Sequence, residues 1–235
     1  MYLEKIQFCD DFAEDLWTNN MDEGIQVVGG RDSFKLNAIY QLLEKLNPEF
    51  SEIFVLSVDI EQEQFWNSKG IPIASDLDRI ASALRQLVRE FRERQRPFRI
   101  FVGHPITCII ELDDLHRALA ERAVSLGIEY DDRELNEVVV ELRDTGSKVG
   151  ISIVACTEAV PFWNHSLFLG ERAIKFAEVS SLLSQEVFEE VANQPYPCYF
   201  TIADDIYLMS VTDRLTALEP RKIVQIPESK RVIDV

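Results

Sequence analysis

Short runs of apolar residues alternate along this chain with longer stretches whose apolar residues recur at helical spacing. Four runs have the length of one buried strand each: GIQVVGG (24–30), SEIFVLSVD (51–59), ITCIIEL (106–112) and VGISIVACT (149–157). Four stretches are typical of amphipathic helices: residues 33–46, 76–96, 113–126 and 132–144. This alternation predicts a mainly parallel sheet with helices on both faces, of which VGISIVACT is the last strand.

Other segments extend this plan. FRIFVG (98–103) is a further apolar run, and His104-Pro105 separates it from ITCIIEL because proline favours a break. After a polar helix at 180–194, the alternating segment at 197–211 contains Asp204-Asp205 and predicts a β-hairpin. We therefore expect a helical lead-in (1–23), a core domain (24–175), and a C-terminal helix and hairpin packed on the core (176–235).

The net charge of −17 on 235 residues limits the partners of this protein. Proteins that hold DNA through phosphate contacts usually present a basic surface, so DNA binding here requires a local basic patch. The dense basic tract consists of the arginines at 79, 85, 89, 92, 94 and 96. Three interpretations remain open for it: a solvated helix face, a phosphate-contacting patch or a subunit contact. The acidic charge itself serves solubility or meets a basic partner.

The N-terminal sequence MYLEKIQFCDDFAEDLW carries acids where a signal peptide needs a basic end and an apolar core. No apolar run approaches the roughly 20 residues of a membrane-spanning helix. We expect a cytoplasmic protein without a membrane partner. The four cysteines are far apart and predict buried, reduced thiols. The histidines are scattered as well, so no metal site is predicted.

The segment VVGGRDSFKL (27–36) has the outline of a phosphate-binding loop between a strand and a helix. Such a loop closes backbone amides around phosphate, its lysine reaches the outer phosphates, and its final hydroxyl ligates magnesium. The predicted nucleotide-binding residues are Gly29, Gly30, Ser33 and Lys35. Phe34 occupies the place of the second glycine and Leu36 that of the hydroxyl, and Phe34 is expected to fill part of the phosphate cradle. The alternative is that Lys35 is a solvated lysine at a helix start.

Three further segments follow this loop in a characteristic order. The helix IASALRQLVREFRERQRPF (80–98), the strand and helix start ITCIIELDDLHRAL (106–119), and VGISIVACTEAV (149–160) resemble motifs of the FtsK/HerA group of DNA-pumping P-loop ATPases. Matching positions in the helix include Ala83, Leu84, Arg85, Arg89, Glu90 and Arg94, and those in the last strand are Gly150, Ile151 and Thr157. The resemblance covers residues 24 to 160. It implies a RecA-like P-loop NTPase fold of the α/β class, ATP with Mg²⁺ as cofactor, and assembly into rings.

The residues depart from this family where its chemistry would take place. The family has an aspartate and then a glutamate at the end of the second acidic motif. Either Glu111 takes the aspartate place and Leu112 replaces the glutamate, or Glu111 is the glutamate and Ile110 replaces the aspartate. Asp113 and Asp114 are predicted to be the N-cap and first turn of the next helix.

Two more positions differ from the family. Glu158 stands where the family has a glutamine that senses the nucleotide phosphate. Ser147 stands where the family often has an arginine that faces the nucleotide of a neighbouring subunit. Lys148, next to it, could take over part of the role of that arginine. The catalytic candidates are therefore Glu111 and Glu158. Because removing one charge-stabilising group costs several powers of ten in rate, efficient ATP hydrolysis is not expected.

The sequence predicts a degenerate, non-hydrolysing FtsK/HerA-like protein that serves as a subunit or scaffold in a DNA-processing or mobile-element assembly. Its ATP binding is expected to be weak or absent. Its expected partners are further copies of itself or a related ATPase subunit. DNA could bind through a local basic patch, but the net charge opposes such binding. The alternatives are an active ATP-driven DNA translocase and an acidic protein-interaction module without nucleotide.

Overall fold

The computed structural model describes residues 24–29, 35–45, 52–96, 104–158, 165–169, 197–202, 205–211 and 215–217. The chain divides into two compact units. Residues 21–25 and 47–157 form one, which we call the four-stranded unit, and residues 1–20, 26–46 and 158–235 form the other, which we call the hairpin unit.

Four parallel strands form the sheet of the four-stranded unit: β2 (Glu52–Leu56), β3 (Ile73–Ala74), β4 (Ile106–Glu111) and β5 (Ile151–Thr157). They lie in the order β3-β2-β4-β5. Every residue of β4 is buried, and Ile109 pairs with Val55 on one side and with Val154 on the other. The continuous apolar runs of the sequence therefore correspond to strands covered on both faces, as in other parallel sheets.

Helices connect these strands: α2 (Ile60–Ser68), α3 (Leu77–Arg94), α4 (Leu112–Leu126) and α5 (Arg133–Thr145). α3 begins where the Asp76 carboxylate accepts a hydrogen bond from the backbone N–H of Arg79 at 2.8 Å. It buries Ile80, Leu87 and Phe91 on one face. α4 ends at Gly127, whose φ of 69° is the left-handed geometry that glycine adopts without strain.

Arg94, at the end of α3, points into this unit rather than into solvent, and its side chain is only 8% exposed. Its guanidinium donates to the carbonyl oxygens of Val149 at 3.2 Å, Gly150 at 3.3 Å and His104 at 3.1 Å. Its Nε donates to Glu90 at 2.8 Å. Arg94 therefore does not belong to the exposed arginine tract. Arg94 is therefore neither part of a solvated helix face nor a contact to phosphate or to a second subunit. Its guanidinium is already bound by carbonyl oxygens.

The hairpin unit contains β1 (Ile25–Val28, from Gln26 on), α1 (Lys35–Lys45), and four more strands: β6 (His165–Leu169), β7 (Pro197–Ile202), β8 (Asp205–Val211) and β9 (Leu215–Ala217). β6 runs parallel to β1, and β7, β8 and β9 continue the order with antiparallel pairing. The predicted hairpin is confirmed as β7 and β8. Asp205 is already the first residue of β8, paired with Ile202.

The strand β6 corrects the prediction that VGISIVACT ends the parallel part of the sheet. HSLFL is only five residues long and begins with His165 and Ser166, so its apolar run of three residues is too short to stand out in the sequence. The α/β architecture with a mostly parallel sheet and a C-terminal hairpin is otherwise confirmed. The lead-in at 1–23, the run FRIFVG and the helix at 180–194 lie outside the described residues, and the domain boundaries stay predictions.

Two of the four cysteines have described side chains, and both agree with the prediction of buried thiols. Neither Cys108 nor Cys156 forms a disulfide, and both are completely buried. Burial raises the pKa of the Cys108 thiol far above its ordinary value, because the thiolate would lose its hydration. None of the helices in the described part of the chain is long and apolar enough to cross a bilayer.

Candidate nucleotide-binding site

The loop that resembles a phosphate-binding motif lies in the hairpin unit. β1 is buried along its whole length and leads into Gly29, which is also buried. Gly30, Ser33 and Phe34 lie outside the described residues, so the prediction that Phe34 fills the cradle is not tested here. The chain is described again from Lys35, the first residue of α1.

Lys35 is buried, with 6% of its surface exposed. It lies four residues before Ile39 and eight before Leu43, so it shares the face of α1 that those core residues occupy. The alternative of a solvated lysine at the helix start is therefore wrong. A lysine is rarely buried unless its ammonium group meets polar or anionic groups, as it would at a phosphate site.

Leu36 follows in the first turn of α1 and is partly buried. Its side chain has no oxygen, whereas magnesium in phosphate sites takes oxygen ligands. Of the two residues described at this helix start, Lys35 carries a cation and Leu36 offers no ligand to magnesium.

The second set of candidate residues lies in the four-stranded unit, at the carboxyl ends of β4 and β5. Glu111 is the last residue of β4 and pairs with Cys156 of β5. It is 3% exposed, and its neighbours Ile110 and Leu112 are buried and apolar. Both alternatives for the acidic motif therefore leave one carboxylate at this strand end, flanked by hydrocarbon on both sides along the chain.

Thr157, at the end of β5, makes a contact that the sequence did not predict. Its hydroxyl donates to the Asp113 carboxylate, 3.1 Å from Oδ1 and 3.0 Å from Oδ2. α4 begins directly after Glu111, so Glu111 occupies the N-cap position and Asp113 and Asp114 both lie in the first turn. The first-turn prediction is confirmed and the N-cap prediction is wrong, because the helix starts one residue before Asp113. The only signal for the new contact is that a threonine ends a strand next to a helix that starts with acids.

The remaining candidates lie around β5. Glu158 follows β5 directly and is exposed. Ser147 and Lys148 lie in the short 3-10 helix Ser147–Val149 that precedes β5, and Lys148 is exposed. The 7 residues of β5 separate Lys148 from Thr157 by roughly 20 Å of strand. Lys148 is therefore at the opposite edge of this sheet from Glu111 and Thr157. No cluster of three or more potential metal ligands is present among the described residues.

Comparisons with known proteins agree with the architecture. No protein-family model matches the chain, and no curated protein matches it in sequence. Among solved structures, EssC (ATPases 2 and 3) from Geobacillus thermodenitrificans aligns with a TM-score of 0.52 at 16% identity, over 88% of this chain and 37% of that one. The genome packaging NTPase B204 from Sulfolobus turreted icosahedral virus 2, in complex with AMPPCP, aligns with a TM-score of 0.49 at 12% identity, over 82% of this chain and all of that one.

The pCW3 conjugation coupling protein TcpA, with ATPgS, aligns with a TM-score of 0.44 at 13% identity, over 85% of this chain and 60% of that one. This chain thus spans 37% of EssC and 60% of TcpA, less than two thirds of either. The likeness to EssC, together with the parallel order of the strands and the helices between them, establishes the architecture. The chain has an FtsK/HerA-like P-loop ATPase fold.

Proposed function

We propose that this protein is a degenerate member of the FtsK/HerA-like ATPases that does not hydrolyse ATP. It would act in the cytoplasm as a subunit or scaffold in a DNA-processing or mobile-element assembly. The assembly role rests on the resemblance of three sequence segments to DNA-pumping ATPases, and the fold supports it. Its partners would be further copies of itself or a related ATPase subunit.

The observation that carries the proposal is the single carboxylate at the end of β4. Hydrolysis in this fold needs one acid for the magnesium-bound water and a second for the attacking water. Glu111 supplies one, while Ile110 and Leu112 on either side are 0% and 3% exposed and carry no oxygen. Asp113 is the next acid along the chain, and the Thr157 hydroxyl holds its carboxylate. The end of β4 therefore offers one carboxylate where the family has two adjacent ones, which supports the absence of turnover.

Nucleotide binding without turnover is the state that these residues favour. The buried Lys35 at the start of α1 supports retention of a phosphate contact, whereas Leu36 in the same turn removes the magnesium ligand. We expect ATP to bind weakly and with little dependence on magnesium. The position of Lys148, at the far edge of the sheet from Glu111, supports a role at a neighbouring subunit rather than within the same copy.

Calorimetric titration with ATP, with and without Mg²⁺, tests nucleotide binding. We expect weak heat that disappears in Lys35→Ala and in Lys35→Met, which keeps most of the buried stem. Lys69→Ala is the matched control, because Lys69 is an exposed lysine in the four-stranded unit. Circular dichroism of each variant verifies that it folds. No binding up to about 1 mM ATP, a free energy of about −4 kcal/mol, would favour the acidic interaction module.

Phosphate release, measured with and without duplex DNA, tests the absence of turnover. Enzymes of ordinary efficiency turn over at about 1–10³ s⁻¹, and we expect a rate at least about a thousandfold below that range. DNA-stimulated release at about 1 s⁻¹, lost in Lys35→Ala, would identify an active translocase and contradict the proposal.

A further inference from the structure

An open groove with apolar walls lies between α3, α4 and α5, away from Glu111, Asp113 and Thr157. Its volume is about 890 Å³. Its floor is formed by aliphatic side chains, among them Leu84 and Val88 of α3, Leu119 of α4, and Leu135 of α5. Its polar lining consists of Tyr130 and of charged side chains, among them Glu93 next to Arg92.

One rim of the groove is a row of arginines. Arg85, Arg89 and Arg92 line it from α3, and Arg96 lines it two residues beyond the end of that helix. The spacing of i, i+4 and i+7 places the three helical arginines on one stripe of α3, about 10 Å long. All four are exposed.

The charges of this row are only partly used within the protein. Arg96 pairs with Glu93, and the Nε of Arg85 donates to the carbonyl oxygen of Ala81. Arg89 and Arg92 make no hydrogen bond or ion pair with any residue that the structure describes. A partner could therefore contact both guanidinium groups without breaking an existing interaction.

The opposite rim has the opposite charge. Asp131 and Glu134 line the groove next to the start of α5, and Asp131 is held by Arg133 through Oδ1 at 2.9 Å. DNA carries phosphates on both sides of any groove it fills, so this acidic rim and the apolar floor would oppose it. A helix with an apolar stripe and acids along one flank is complementary to the groove. Its apolar stripe would pack on the floor, and its acids would pair with the arginine row.

We propose that this groove binds an amphipathic helix of a partner protein, with acidic residues along the flank that faces α3. Such a helix lays its apolar residues at i, i+3, i+4 and i+7 into an apolar groove. Acids spaced over about two turns match the stripe of the three helical arginines. This inference goes beyond the proposed function and does not depend on nucleotide binding.

Fluorescence anisotropy with two labelled peptides of 18 residues tests the proposal. Both carry leucines on one helical face, and the flank beside them carries glutamates in the first peptide and lysines in the second. We expect the glutamate peptide to bind the full chain at micromolar concentration. Affinity should fall about tenfold in the double variant Arg89→Glu with Arg92→Glu, since two attractive contacts become repulsive. The lysine peptide should bind that double variant better than the original chain.

Two further variants keep the test specific. Arg79→Glu with Arg122→Glu changes the net charge equally at exposed arginines that do not line the groove, and we expect the glutamate peptide to bind it unchanged. Leu84→Gln alters the floor alone and should weaken both peptides. Circular dichroism verifies the fold of each variant.

Several results would overturn the proposal. One is no binding of the glutamate peptide up to about 1 mM. Another is an equal loss of affinity in the two double variants. Binding of duplex DNA that only Arg89→Glu with Arg92→Glu abolishes, without peptide binding, would make the row a nucleic-acid surface. Self-association that Leu84→Gln abolishes would make a second copy the occupant.

Discussion

Replacing Arg94 with alanine should destabilise the protein far more than replacing any neighbouring arginine. The side chain is 8% exposed and donates hydrogen bonds to three backbone carbonyls at 3.1–3.3 Å. Contacts of this length contribute about 0.5–1 kcal/mol each. The pair with Glu90, whose side chain is 47% exposed, adds about 0.5 kcal/mol, and the packing of the buried stem about 1 kcal/mol. The free energy of unfolding should fall by about 3–4.5 kcal/mol.

Urea denaturation followed by circular dichroism measures this change, and thermal melting provides a second readout. For a chain of this size the loss corresponds to a fall of roughly 10 °C in the melting temperature. Arg94→Lys should lie between the original chain and Arg94→Ala, because an ammonium group cannot reach all the acceptors that the planar guanidinium reaches. Arg92→Ala is the control, since Arg92 is exposed and its loss should change stability by less than about 0.5 kcal/mol. Equal melting temperatures for Arg94→Ala and Arg92→Ala would refute the anchoring role.

Two further changes test the packing of the four-stranded unit. Gly146→Ala should cost more than about 2 kcal/mol, because a Cβ there would meet the carbonyl oxygens of Leu142 at 2.3 Å and Ile151 at 2.6 Å. Gly70→Ala, where φ is +73° and the space is open, should cost only about 1–2 kcal/mol of backbone strain, and the reverse order in urea denaturation would contradict this packing. Burial and the negative charges of Asp132 and Asp131 raise the pKa of Tyr130 above its ordinary value of 10.0. The neutral phenol therefore stabilises the fold fully below pH 10.0, and this stabilisation is lost as the pH rises through the pKa of Tyr130 in the folded protein. In Tyr130→Phe the urea midpoint should fall less between about pH 9 and pH 11.5 than in the original chain. Identical urea midpoints for both chains over this range would contradict the contribution of Tyr130.

The sequence predicted the sheet well because burial on both faces leaves a direct trace. A strand such as β4 has no polar side, so its apolar residues are continuous in the sequence. The sequence also contains a signal for the burial of Lys35, because Lys35 lies four residues before Ile39 and therefore on the apolar face of α1. The positive charge of a lysine at a helix start favours the alternative of a solvated side chain, and the burial of Lys35 shows that this alternative is wrong.

Other features depend on contacts between distant parts of the chain and could not be predicted. Arg94 looks like any arginine of its tract, and only the backbone near Val149 and His104 distinguishes it. Two of the positions that carry the family resemblance, Glu90 and Arg94, form the ion pair that ends α3. Part of that resemblance therefore reflects residues that build the fold rather than residues that act on a nucleotide.

The two-residue strand β3 limits how this protein can join others. It lies at one end of the strand order of its unit, and its inner side is used by β2, through Val55 and Ser57. Pro72, directly before β3, has no backbone N–H to donate, and α3 packs against β3. A neighbouring chain would find almost no backbone donors or acceptors there on which to add a strand. Growth of the sheet from copy to copy, the usual route to fibrous aggregates, is thus disfavoured at this edge, and a neighbouring chain that contacts it must do so through side chains.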